Sequence, residues 1–306
     1  MSETRTSVLA AIAGNVLIAI SKGIAAAFSG SASLLSEAIH SVVDTGNGAL
    51  MLYGMNRSRK PADRQHPFGY GHELYFWTLV VAVLIFGLGG GMSIVTGALH
   101  ILHGTQPEAS AWNYAVIFAA MVFEGVSWYF GFRAFRTERR GRGVVETIQR
   151  TKNPAAFAVL LEDSAALAGL VLALAGLYLS SALDEAWIDG ACSILIGLLL
   201  CCVALVMVRE SRGLLVGEGI EQGTAEELRK LVCAHPEVER VDRILSLYLG
   251  PDEILLAVEV HFSAEARGRQ IRAAVAQLKK EIRARYPRMT HIFFGDIREP
   301  KKAAVT

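Results

Sequence analysis

Six long apolar runs, joined by short connections, constrain this chain more than any other feature. They cover roughly residues 7–29, 32–55, 74–101, 112–132, 154–181 and 187–208. Each is close to the ~20 residues a helix needs to cross a bilayer. In lipid the backbone has no water to bond to, so runs of this length are predicted to be helices. The second run is the least apolar, because Glu37, His40, Asp44 and Asn47 interrupt it. Hydropathy alone would pass over it.

The chain is 52% hydrophobic and 19% charged, whereas soluble domains run near one-quarter charged. The imbalance lies in residues 1–208; residues 209–306 are rich in charge and read as soluble. The predicted fold is therefore an all-α six-helix transmembrane domain (1–212) followed by a small α+β cytoplasmic domain (213–306). A net charge of +1 gives no case for a nucleic-acid partner. Cys192, Cys201, Cys202 and Cys233 form neither a disulfide framework nor a paired CxxC site. They are expected to be buried thiols acting as small hydrophobes. The first run is too long, and broken by Lys22, to suit a cleavable signal peptide.

Basic residues set the expected orientation. Arg57, Arg59, Lys60 and Arg64 follow the second run. Arg133, Arg136, Arg139, Arg140, Arg142, Arg150 and Lys152 follow the fourth, and Arg209 and Arg212 follow the sixth. The connections near 30, 103–111 and 182–186 carry no Lys or Arg. Alternate loops are thus basic. This pattern predicts a multi-pass inner (plasma) membrane protein of bacterial type with both termini cytoplasmic.

In the tail, a short helix over Ala225–Ala234 is predicted to stop near Pro236. Val241–Leu249 and Ile254–Phe262 flank Gly250-Pro251-Asp252-Glu253, a hairpin pattern. Ile271, Ala274, Val275, Leu278 and Ile282 recur at helical spacing, and a last strand covers about 290–296. Helix, hairpin, helix, strand predicts a compact ferredoxin-like lobe.

Ionisable groups at mid-bilayer depth cost at least ~2.5 kcal/mol each and usually serve function. His40 and Asp44 are four residues apart, on one helical face with Cβ atoms about 5–6 Å apart. An imidazole and a carboxylate so placed can share one transition-metal ion. Glu37 and Asn47, three residues to either side, extend the stripe. A polar clasp between helices is the plainer alternative, but it does not need so many acceptors in line. The fifth run adds the adjacent acids Glu162 and Asp163, which point about 100° apart. Small residues let the two helices approach: Gly46 and Gly48 on the second, Ala165, Ala166, Ala168 and Gly169 on the fifth. A metal site of His40, Asp44, Asp163, Glu162 and Asn47 is predicted between them. Glu37 and Glu124 are candidate proton carriers or partners of the ligands, and Lys22 a group that snorkels or neutralises a carboxylate. Asp189 reads as an N-terminal acid of the sixth helix. Gly87, Gly89, Gly90 and Gly91 permit close packing, within the chain or at a dimer interface. In the loop at 61–73, Asp63, His66, His72 and Glu73 are either surface ligands or parts of an ordered turn; Asp63, His66 and His72 form the candidate second site.

These residues resemble the cation diffusion facilitator family of metal/proton antiporters. The resemblance covers nearly the whole chain. It rests on Gly30-Ser31, on Ser36-Glu37-Ala38-Ile39-His40-Ser41-Val42-Val43-Asp44, on His66-Pro67-Phe68-Gly69-Tyr70-Gly71-His72-Glu73, and on Asp163 followed by Gly169. It implies a homodimer whose protomers each bind metal between the second and fifth spans. His40 and Asp44 match the second span's ligand pair, and Asp163 the later position of the fifth span's pair. The earlier position is Val159, which cannot coordinate, so Glu162, Asn47 or water would complete the site, with Glu162 favoured. The Leu161-Glu162-Asp163 pattern resembles a zinc-transporter-like subgroup of the family. At the family's loop site Asp63 and His66 match, and Tyr70 replaces the third ligand. In the lobe His235, His261, His291 and Asp296 do not clearly match the family's zinc ligands, which leaves a metal-independent dimerisation lobe as an equal reading.

The resulting expectation is proton-coupled efflux of a divalent cation by alternating access. Ligands must be deprotonated to bind metal, and His40 titrates nearest neutral pH. Zinc leads the candidates, with iron, manganese and cobalt also suited to imidazole and carboxylates. The metal is cargo and no cofactor is expected. Protons and the bilayer are the other partners. Lacking GxSxG or HExxH patterns, the chain is not expected to be an enzyme. A membrane metal sensor and an intramembrane metalloenzyme are the alternatives.

Overall fold

The computed structural model describes residues 2–104, 106–139 and 154–296, with side chains described for 15–104, 106–133, 136 and 158–295. Arg140, Arg142, Arg150 and Lys152 of the second basic loop lie outside the described residues. The chain divides into two compact units, Met1–Arg57 with Glu73–Arg212, and Ser58–His72 with Gly213–Thr306. The second unit takes in the loop at 58–72, which chain order alone would assign to the first.

Among the described residues the first unit is built of helices: α1 Ser2–Ser29, α2 Ala32–Ser58, α3 His72–Leu84, α4 Met92–His103, α5 Ala111–Arg139, α6 Pro154–Leu183 and α7 Trp187–Val216. A π-helical turn over Ile85–Gly91 joins α3 to α4. It contains Gly87, Gly89, Gly90 and Gly91, residues that hold an α-helix poorly. Among the described residues four stretches are long and apolar enough to cross a membrane: His72–His103, Ala111–Arg133, Ala158–Leu183 and Trp187–Val216. The described apolar part of α1 is shorter, Asn15–Ser29. Helix α2 has 27 residues, but its polar stripe keeps its hydropathy low.

The three connections without Lys or Arg meet at one end. Glu108 N–H donates to Ser29 O at 2.8 Å, and the Gln106 amide donates to Ser180 O. Gly30 adopts φ +67° in the turn from α1 to α2, a conformation that disfavours a side chain. Apolar packing joins α1, α2, α5 and α6 through Ala26, Leu34, Ile117, Ala120, Leu170 and Leu177. The α3–α4 span meets α7 through paired glycines. A Cβ on Gly97 would lie 2.5 Å from Gly190 O, and one on Gly197 would lie 2.7 Å from Gly90 O. Without a hydrophobic drive in lipid, such backbone approach supplies the dispersion contacts. Gly90 is thus used inside the chain.

Two expectations change here. Asp189 stands in the first turn of its own helix, as expected, but its carboxylate is also engaged by another. Its buried carboxylate accepts Ala32 N–H at 2.5 Å, Ser33 N–H at 3.3 Å, Ser31 Oγ–H at 2.8 Å and the Ser33 hydroxyl. It caps α2 from α7, meeting backbone donors that lack a partner in their own helix. Of the cysteines only Cys192 is buried; Cys202 and Cys233 are exposed and Cys201 partly so. An apolar side chain on a spanning helix has lipid as well as core to occupy, so the apolar run did not imply burial.

The second unit contains α8 Gln222–Cys233, β1 Val238–Gly250, β2 Glu253–Phe262, α9 Gly268–Arg285 and β3 Met289–Asp296. Its sheet has the order β1-β2-β3, with β1 antiparallel to β2 and β2 parallel to β3. The element order is the predicted one. A ferredoxin-like repeat carries four strands, whereas this sheet has three among the described residues. Ile254, Leu256, Val258 and Val260 alternate inward along β2 and meet Leu228, Val232, Leu278, Ile282 and Ile292. Each such buried side chain contributes about 1.5–3 kcal/mol.

Candidate functional site

The polar stripe of α2 points inward. Glu37 and Ser36 are fully buried, and His40 and Asn47 are 1% exposed. His40 Nε2 lies 3.3 Å from Asp44 Oδ2, within ion-pair range but without hydrogen-bond alignment. Both His40 ring nitrogens, Asp44 Oδ1, Asn47 Oδ1 and Glu37 Oε1 are buried and have no hydrogen-bond partner. A buried polar atom left unpaired costs about 1–3 kcal/mol, so five along one stripe is a large concentration of unmet bonding capacity.

Lys22 of α1 neutralises this stripe at one end. Its Nζ lies 3.1 Å from Glu37 Oε2 and 2.9 Å from Ser41 Oγ, and both charged side chains are wholly buried. The sequence left snorkelling and neutralisation open; the geometry is neutralisation. Glu37 Oε1 presses against Gly169 of α6 so closely that a Cβ there would collide with it. Gly169 provides space for a carboxylate rather than an unusual backbone angle.

Ten residues along α2, the Asn47 amide donates to Glu162 Oε1 at 3.2 Å. Glu37 with Gly169 and Asn47 with Glu162 therefore bracket His40 and Asp44, and α2 runs against α6 in the opposite sense. Asp163 faces a third helix. Its Oδ2 accepts Ser127 Oγ–H from α5 at 2.9 Å and lies near Gly131. Glu124, one turn before Ser127, is half-buried and within electrostatic reach of Asp44, Asp163 and His40. Val159 is 41% exposed, so besides lacking a donor it faces away from the interior.

The structure thus joins His40 to Asp44, and Asn47 to Glu162, but holds Asp163 toward Ser127. Among the described residues no three His, Cys, Asp or Glu side chains stand grouped for an ion. Sequence reasoning missed Ser127 and Ser41. Ser127 lies at i+3 from Glu124 and Ser41 at i+4 from Glu37, so extending each polar stripe by one turn would have found them.

The loop at 58–72 is an ordered turn. Asp63 accepts Gln65 N–H at 2.8 Å, His66 N–H at 2.7 Å and Tyr70 Oη–H at 2.7 Å. These donors, Tyr70 foremost, hold the Asp63 carboxyl down at about 2, below the ordinary 3.8. His66 Nδ1 is 3.4 Å from Asp63 Oδ1, and its ring centroid lies 4.1 Å from that of Tyr70 with the planes tilted by 34°. Tyr70 therefore occupies the carboxylate that a third ligand would share. Gly69 takes φ +80°, and Gly71 approaches the Leu249 carbonyl closely enough to exclude any Cβ. Phe68 meets His291 edge-on at 5.4 Å. His72 opens α3. In the lobe His261 Nε2 pairs with Asp242 Oδ2 at 2.6 Å and His235 Nδ1 lies 2.9 Å from Glu237. Asp296 ends β3. The lobe histidines are thus dispersed over separate partners.

Comparison with known proteins bears on this arrangement. The cation efflux transmembrane domain family matches residues 8–216. The chain is 30% identical over 257 residues to a protein of Xenopus laevis named proton-coupled zinc antiporter SLC30A9, mitochondrial, covering 83% of this chain and 46% of that one. It is 30% identical over 234 residues to metal tolerance protein C4 of Arabidopsis thaliana, covering 76% and 51% respectively. It is 24% identical over 263 residues to magnetosome protein MamM of Paramagnetospirillum magneticum, covering 83% and 77%. The chain spans about half the length of the first two relatives.

Proposed function

The chain belongs to the cation efflux family, the cation diffusion facilitators, multi-pass membrane proteins that transport cations, and on that premise we propose that it exports a divalent transition metal, zinc foremost, in exchange for protons. The observation that carries the reading is the buried α2 stripe. The unpaired donors of His40, Asp44 and Asn47 offer the mixed nitrogen and oxygen set that zinc, iron, manganese or cobalt accepts. The name of the Xenopus relative, a proton-coupled zinc antiporter, favours zinc and protons.

In this reading α1 and α2 join the four apolar stretches to make six spans, and both termini face the cytoplasm of an inner membrane. Residues 1–212 transport and 213–306 dimerise the protein. Metal arriving from the cytoplasm binds His40 and Asp44. Asp163 leaves Ser127, and Glu162 leaves Asn47, to close the site from α6. Binding displaces protons because the ligands accept metal only when unprotonated. Once the site opens outward, protons take the same lone pairs and the ion departs. Lys22 stays bonded to Glu37 and balances one carboxylate that the cation does not reach. The metal is cargo and no resident cofactor takes part.

Purified protein in liposomes with an imposed pH gradient tests this. Zinc flux should follow the gradient and stop with Asp44→Ala. Flux that persists in that variant removes Asp44 from the site, and flux insensitive to the gradient removes the proton exchange.

A further inference from the structure

Helix α9 of the lobe carries two faces of different chemistry. Ala274, Leu278 and Ile282 are its buried residues. At about 100° per residue, Arg269, Arg272, Lys279, Lys280 and Arg283 fall within about 100° of one another on the side turned away from them. Arg269, Arg272, Lys280 and Arg283 are exposed and Lys279 is half-buried. Ala273 and Ala276 lie exposed between them, so nothing bulky stands above the charges. The one acid of α9, Glu281, lies off this side and accepts the Gln277 amide at 2.9 Å. Arg283 donates to Thr290 O at 3.3 Å. Among the described residues Arg269, Arg272, Lys279 and Lys280 have no partner.

Elsewhere the lobe pairs its arginines, Arg240 with Asp242, Arg243 with Glu259 and Arg285 with Glu227. The whole chain carries a net +1, so the ridge is a segregation of charge and not a general excess. Helix stability does not account for it. A helix favours cations in its last turn and disfavours them in its first, yet Arg269 stands in the first turn of α9, which has no acid. Like charges three or four apart, such as Arg269 with Arg272 and Lys279 with Arg283, repel. A counter-charge from outside the lobe relieves both penalties.

We propose that this ridge docks on anionic phospholipid headgroups of the membrane that the helical unit spans. A cluster of roughly four to eight Lys or Arg on one helix face matches such a surface. The lobe is also held close to it. Only residues 217–221 separate α7 from α8, and a short tether raises the effective concentration of the second partner. The inference needs the membrane but not the transport reading above.

The test uses the full chain in vesicles, with its four cysteines replaced by alanine and a thiol dye attached through Ala276→Cys. Headgroup-quencher lipid reports contact. Quenching should be strong in phosphatidylglycerol-rich vesicles and absent in pure phosphatidylcholine. It should disappear in roughly 1 M salt, where the screening length falls to about 3 Å. Arg272→Gln or Lys279→Gln should each weaken docking about fivefold. Charge reversal of both, R272E/K279E, should abolish it, while R272K/K279R should retain it and so separates charge from a folding defect. Equal quenching in neutral and anionic vesicles overturns the proposal, as does quenching that survives R272E/K279E. A dye response to a DNA duplex with none to anionic vesicles also overturns it, and gives the ridge to nucleic acid.

Discussion

The helical unit and the lobe keep their charged groups in opposite places. The lobe has an apolar core and sets its ion pairs toward water, as in Arg243–Glu259 at 2.6 Å and Arg285–Glu227 at 3.0 Å. The helical unit encloses Lys22, Glu37, His40, Asn47, Glu162 and Asp189 and turns Leu102, Val122, Val171 and Leu183 outward. The chemistry of folding is the same in both; the surroundings differ. Lipid cannot solvate an ion, so a charge in the helical unit must be paired inside it or be held for a ligand. A buried polar group is therefore informative in both units, but in the helical unit it is concentrated and shared among helices.

The sharpest way to break this contrast is Asp44→Ala. Zinc flux should fall to that of empty liposomes, while size-exclusion elution and helical circular dichroism stay unchanged; a folded variant with residual flux would put cargo handling elsewhere. Next in size is Lys22→Met, which leaves Glu37 buried and uncompensated, at a cost of about 3–5 kcal/mol. Chemical denaturation in detergent would read this, and adding Glu37→Gln should restore most of it. If the single variant is as stable as the parent, the pair does not hold α1 to α2. In the lobe Leu278→Ala, at a fully buried position, should cost about 2–5 kcal/mol. Hydrogen exchange on the full chain should show the loss in the amides of β1–β3 and not in α7.

The smallest effect concerns Asp63. Its carboxyl is held down at about 2, so it is a group of depressed folded value. Its support of the turn is present above the ordinary carboxylate range and is lost as pH falls through about 2. Tyr70→Phe removes the leading donor and should move the titration midpoint up toward 3.8. Carboxyl NMR with acid titration would detect this, and an unmoved midpoint would deny Tyr70 that part.

Much of the architecture was legible because its signals are local. Hydrophobic runs, the 250–253 turn and the β2 alternation each depend on near neighbours, and the elements occur where those patterns predict. The inward α2 stripe was legible for the same reason, since i and i+4 share a face. Contacts between distant segments were not. Nothing near Asp189 announces that its carboxylate will cap a helix starting 157 residues earlier. Likewise Ser127 on α5, rather than a residue of α2, holds Asp163. Composition could not sort Cys192 from Cys202 either, because a spanning helix has an apolar exterior as well as an apolar interior.

The glycine pairs between the α3–α4 span and α7 have a mechanical consequence. Gly90 faces Gly197 and Gly97 faces Gly190, with the same seven-residue interval on both helices. The two backbones touch at two points along their length, and sliding by one residue would drive side chains into carbonyls at both. The pair behaves as a strut that resists sliding. On the transport reading proposed above, the opening movement falls to helices other than this pair.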